Sequence, residues 1–195
     1  MNIVDRAKNI ILTPKNEWQV ISGEEPDIKQ IFTGYVLPLA LIPVIAGIIG
    51  FTVIGRSGYR SFGMGFTTAI IQLVLAFVGV YITAFVVDLL APNFGSEKNL
   101  GKAVQLVAYS FTPTWVAGVL FIVPALGVLV VLASLYGIYL LYLGLPVMMK
   151  TPQDKVVVYL VISIVVLIIV YTVISAVLSS IFFGIFGLGA LHMVH

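Results

Sequence analysis

The chain has 195 residues, of which 61% are hydrophobic and 9% charged, with a net charge of +2 and no cysteine. Soluble domains carry roughly 25% charged residues, and a small globule has too little interior to hide this much apolar surface, so a soluble fold is excluded. The missing cysteine removes a disulfide framework, a thiolate metal site and a cysteine nucleophile, and so small a net charge gives no footing for nucleic acid.

The first 30 residues hold much of the charge. MNIVDRAKNIILTPKNEW carries Asp5, Arg6, Lys8, Lys15 and Glu17 and leaves no uncharged run long enough for the h-region of a signal peptide. Ile3, Val4, Ala7, Ile10 and Ile11 recur at helical spacing, with Arg6 and Lys8 assigned to the other side. That pattern predicts a short helix lying in the membrane interface. Thr13 before Pro14 reads as an N-cap followed by proline at the first helical position. From this second helix Trp18 and Ile21 are expected to face the bilayer. GEEPD, residues 23–27, is a polar turn. Residues 1–30 are thus read as an interfacial segment rather than a domain.

Charges then punctuate the chain. Uncharged stretches run over residues 30–55, 61–87, 103–149 and 156–195. A spanning helix needs about 20 residues, so the first two stretches hold one span each, about 31–54 and 64–90. The third would reach roughly 70 Å as one helix and must fold back. Pro124 marks the place, because proline lacks an amide donor and disfavours helix in the residue before it. "IVPALG" becomes a tight turn between spans at about 104–122 and 125–147. One further span, about 156–183, leaves 185–195 as a tail. The fold class is all-α: a polytopic bundle of five transmembrane helices. Arg6, Lys8, Lys15, Lys29, Lys98, Lys102, Lys150 and Lys155 fall on the side of the N-terminus, against Arg56 and Arg60 on the other. The positive-inside rule then sets the N-terminus in the cytoplasm and the C-terminus outside.

Candidate functional residues follow from polar or helix-breaking positions inside these spans. Asp88 is the only acidic residue adjoining a span. At a helix end it pairs with Lys98 or Lys102 or faces water; set deeper, it serves an ion or proton path. Pro113 frees the carbonyl of Tyr109, four residues back, and Ser110, Thr112 and Thr114 stand ready to bond it. The break either shapes packing or opens a binding site, and Pro38 and Pro43 in the first span allow the same two readings. Tyr136, Tyr139 and Tyr142, three residues apart, form a stripe that packs on neighbouring helices or lines a polar cavity. Trp18, Lys98, Lys102, Lys150 and Lys155 are assigned to the interface. Ala46xxxGly50 and Ala133xxxGly137 permit close helix approach, within the chain or in a homo-oligomer. Met148 and Met149 read as apolar filler. His192 and His195 lack further ligands for a zinc site, so no metal or cofactor is expected. HExxH, GxSxG, P-loop and Cys-His signatures are missing, which disfavours an enzyme.

Three stretches, in order, carry a family resemblance: "ILTPKNEWQVI", "LVAYSFTPTWVAGVLFIVPALG" and "YGIYLLYLGLPVMMKTPQDKVVVY". With five spans and an inside N-terminus, residues 10 to 185 resemble the Yip domain family of Ypt/Rab-interacting membrane proteins. The resemblance implies a cytoplasmic N-terminal region and, from eukaryotic members, binding to a small GTPase in vesicle transport. An N-terminal region of about 30 residues is similar to prokaryotic members, which implies a multi-pass protein of the plasma membrane. The expected function is a non-enzymatic scaffold working through membrane lipids or a cytoplasmic protein partner. The alternative is a small ion or solute transporter using the proline-broken helices and Asp88.

Overall fold

The computed structural model describes residues 2–50, 52 and 62–191. The described residues are helical apart from short turns and connections. Two short helices open the chain, α1 (Ile3–Leu12) and α2 (Pro14–Ser22). Asn2 caps α1 by accepting from the Val4 amide at 3.1 Å, and Pro14 starts α2 at the position where a missing amide costs nothing. Among the described residues, five helices follow that are long and apolar enough to cross a membrane: Ile28–Ile49, Ala69–Phe94, Leu100–Ile122, Gly127–Met148 and Val156–Ile174. These are the first to fifth spans below.

Their boundaries follow local chemistry. The first span begins where the Asp27 carboxylate accepts from the Gln30 amide at 3.0 Å, three residues earlier than expected. Ahead of Pro38 it widens into a π-helical turn, Phe32–Val36, with the Leu37 amide bonded to the Phe32 carbonyl five residues back. Such a bulge is a common way for a helix to absorb a disrupted backbone ladder. The helix of the second span starts at Phe62 and ends at Leu90. The third span breaks at Pro113 into Leu100–Ser110 and Thr112–Ala117, then tightens to a 3-10 helix over Gly118–Ile122. The turn falls where Pro124 predicts. Its amides at Val123 and Leu126 bond the carbonyls of Leu120 at 3.0 Å and Val123 at 2.9 Å. The fifth helix runs from Val156 to Leu191 and takes in most of the expected tail. Arg56, Arg60, His192 and His195 lie outside the described residues.

The third span is central. All eight residues from Ala103 to Ser110 are buried, as expected of a helix enclosed on every side. The fifth is peripheral, with Val157, Val158, Val161, Ile168 and Ile169 exposed where lipid would cover them. The main core lies toward one end of the bundle, where α1 and α2 pack against the third and fourth spans. Trp18, Ile10, Ile21, Leu106, Leu140, Leu145 and Tyr159 are its largest fully buried side chains. The glycine of each small-residue pair makes a close contact within the chain. Gly50 lies against the carbonyls of Phe121 and Ile122, and a Cβ on Gly137 would stand 2.7 Å from the Ser110 carbonyl oxygen.

Candidate functional site

Two stripes with the same spacing build the centre of the molecule. In α1, Ile3, Arg6, Ala7 and Ile10 fall at i, i+3, i+4 and i+7; in α2, Pro14, Glu17, Trp18 and Ile21 do the same. Arg6 therefore sits within the apolar face of α1, and Glu17 takes the equivalent place in α2. Both are buried, and Arg6 Nη1 donates to Glu17 Oε1 at 2.7 Å. The other guanidinium nitrogen pairs with Glu24 in the polar turn. Two expectations are corrected here. Arg6 does not oppose the apolar stripe, and Trp18 and Ile21 do not face lipid: each is 0% exposed. The physical reason is pairing, since a guanidinium with two carboxylates can enter a core that an unpaired one cannot.

This ion cluster rests on Tyr109. The Arg6 guanidinium lies over its ring, 5.4 Å from the centroid. Tyr35 and Trp18 meet the same ring edge-on at 4.6 and 6.5 Å. Beneath it, the Thr112 hydroxyl donates to the Tyr109 carbonyl at 2.6 Å. That carbonyl is the one Pro113 leaves without its helical donor. Because the Thr112 proton is used, the 2.8 Å contact between Tyr35 and Thr112 has Tyr35 donating. A relay Tyr35 to Thr112 to Tyr109 thus closes the helix break.

Above Tyr109 a cavity of about 360 Å³ opens. Arg6, Glu24, Glu25, Asp27, Tyr35 and Gln105 are among its lining residues. Gln105 is 2% exposed, and its carbonyl oxygen has no hydrogen-bond partner.

Asp88 stands apart from this cluster. It is 5% exposed, Oδ1 has no partner, and neither expected lysine reaches it. Lys102 instead donates to the Ser22 carbonyl at 2.9 Å and to the Glu24 carbonyl, tying the polar turn to the third span. Lys98 is exposed. Beside Asp88, Tyr159 donates to the Val87 carbonyl. The tyrosine stripe divides: Tyr136 donates to the Ile11 carbonyl at 2.7 Å, anchoring α1 to the fourth span. Tyr139 stacks obliquely on Tyr136 at 5.6 Å and is exposed, as is Tyr142. Lys150 pairs with Glu97 at 2.8 Å, both exposed, and Lys155 is exposed near Gly95.

Residues 8–175 match the Yip1 domain. The chain belongs to the Yip1 domain family. Curated relatives named inner membrane protein YohC, from two Escherichia coli strains, K12 and CFT073, are 30% identical over 142 residues, covering 68% of this chain and 73% of theirs. No solved structure matches. The chain is a multi-pass integral membrane protein, as its family and its five apolar helices require.

The Yip1 match covers Tyr109, Pro113, Tyr136 and Asp88, and Arg6 lies two residues before its start. Sequence reasoning found Tyr109, Pro113 and the hydroxyls beside them. It missed Arg6, Glu17, Tyr35 and Gln105. For the first two a signal existed: a charged residue at the same place in two consecutive apolar stripes, of opposite sign. Tyr35 and Gln105 carry no such mark, because the Tyr35 partner, Thr112, comes from another span and Gln105 stands out only once the helices around it are in place.

Proposed function

We propose that this Yip1-domain protein is a non-enzymatic membrane scaffold, working through the face built by α1, α2 and the connections after the second and fourth spans. One observation carries the reading: the polar chemistry is spent on fixing that face. Arg6 joins both N-terminal helices to the polar turn, and Lys102 joins the turn to the third span. The Glu97 amide donates to the Met149 carbonyl at 2.8 Å, and the Ser96 hydroxyl donates to Thr151 at 2.8 Å. Three segments distant in sequence are thereby held as one surface, as a docking platform requires. The excess of lysine and arginine in these segments favours a cytoplasmic position for it. Membrane lipids and a cytoplasmic protein are its partners in this reading, a small GTPase being the class that eukaryotic members suggest. The Yip1 family is not known for enzymes, which accords with a non-catalytic role.

A second reading is transport, favoured by the buried, unpartnered Asp88 carboxylate. A cavity of about 570 Å³ also opens at the proline breaks, among Pro43, Gln72, Phe111, Thr114, Trp115 and Tyr171. Asp88 is not among the residues lining it, so the two features do not join into one path. Reconstitution in liposomes decides between the readings. The scaffold predicts proton, sodium, potassium and magnesium flux no greater than in protein-free vesicles, for wild type and Asp88→Asn alike. Flux above that level in the wild type that falls in Asp88→Asn overturns it.

A further inference from the structure

We infer that the cavity above Tyr109 is a binding site for a primary ammonium group, of the kind carried by an aminophospholipid headgroup. The charge balance comes first. Glu24, Glu25 and Asp27 line the cavity against one guanidinium, that of Arg6. Arg6 is committed to Glu17 and Glu24, and Lys102, bonded to the Ser22 and Glu24 carbonyls, is the further cation that Glu24 and Glu25 feel, so four carboxylates, Glu17, Glu24, Glu25 and Asp27, stand against two cations. The cavity therefore favours a positive guest.

The unpaired amide narrows the chemistry. A buried carbonyl oxygen without a donor is an uncommon cost in a folded protein, and Gln105 holds one at the cavity wall. It asks for an N–H or O–H, not for charge alone. A primary ammonium offers three donors, enough for a carboxylate and an amide together. A quaternary ammonium offers none. A bare metal ion fits poorly, since no group of three His, Asp or Glu among the described residues has a metal-holding arrangement. Position supplies the source. Gln30 and Gly34, four residues apart on the first span, are exposed and line the cavity. The mouth thus lies at the start of a membrane span, at the level where headgroups sit.

Native mass spectrometry of the full chain released from nanodiscs tests this. The discs hold equal parts phosphatidylethanolamine, phosphatidylcholine and phosphatidylglycerol. Wild type should retain the ethanolamine lipid over the choline lipid by at least about threefold, a modest ratio because Glu25 and Asp27 are exposed. Glu25→Gln with Asp27→Asn should bring the ratio to parity; asparagine keeps the helix cap, so the span still starts correctly. Gln105→Leu should also lower retention while leaving the unfolding midpoint in detergent unchanged or higher, because an unpaired buried amide is removed. A purely structural glutamine would move both downward. Soluble ethylamine separates the sources. If it raises the midpoint of lipid-free protein and the lipids are retained equally, the site takes free amines. If it has no effect while ethanolamine lipid is selected, the headgroup is the guest. Equal lipid retention with no effect of ethylamine overturns the inference. So does a preference for phosphatidylglycerol, which would make Arg6 the recognising group.

Discussion

At the residue scale, the decisive placement is Arg6 inside an apolar stripe. A buried guanidinium is tolerable only with partners, and Glu17 is as buried as Arg6 itself. The pair is therefore better regarded as a specifier of how α1 meets α2 than as a source of net stability, because well-packed apolar replacements often do as well. Removing one partner is different, since it strands the other charge. Arg6→Leu should lower the unfolding free energy in detergent by about 3–5 kcal/mol. Arg6→Leu combined with Glu17→Leu should recover most of that loss. A single variant as stable as wild type would sink the argument, and so would a double variant no better than the single. The helical spacing of the first segment assigns Arg6 to the side away from the apolar stripe, because charge in a short amphipathic helix usually faces water or headgroups. Only the matching stripe in α2, with Glu17 in the place of Arg6, reveals the pairing, and reading it requires knowing that the two helices fold face to face.

The third span shows which element-scale features a sequence carries. Its break is written in the chain: Pro113 removes a helical donor, and the hydroxyl one residue before it replaces that donor. The turn at Pro124 is equally legible, because proline interrupts an apolar run too long to cross once. What could not be read is the far end of the relay. Tyr35 lies 77 residues from Thr112 and sits in the π-helical turn ahead of Pro38; the proline marks a disturbed helix but not the partner that Tyr35 meets. The relay makes a coupled prediction. Thr112→Val leaves the Tyr35 hydroxyl and the Tyr109 carbonyl unpaired, at a cost of about 1–3 kcal/mol. Tyr35→Phe removes one donor from a shared network. Combined with Thr112→Val it should cost less than the sum of the singles, with coupling of roughly 1 kcal/mol. Thermal or denaturant unfolding of the four proteins measures this. Strict additivity would mean that the two hydroxyls do not act together.

For the whole molecule, five spans place the N-terminal segment and the connections after the second and fourth spans on one side. The Pro124 turn falls on the other. The bonds from Lys102 to the 22–24 carbonyls, and from Glu97 to Met149, agree with that grouping. Which side faces the cytoplasm is a separate matter, set by electrostatics during insertion rather than by packing. Eight of the ten basic residues lie in the grouped segments, which argues for the cytoplasm. The chain has no cysteine, so single replacements give an unambiguous readout. Lys8→Cys and Lys98→Cys, both at exposed positions, and Lys150→Cys, whose exposed ion pair contributes little, should keep the fold. In sealed right-side-out vesicles an impermeant maleimide should leave all three unlabelled, and permeabilisation should expose all three together. Labelling of all three in intact vesicles would reverse the orientation while leaving the bundle unchanged. A split among them would break the shared face itself, and with it the platform on which the scaffold reading depends.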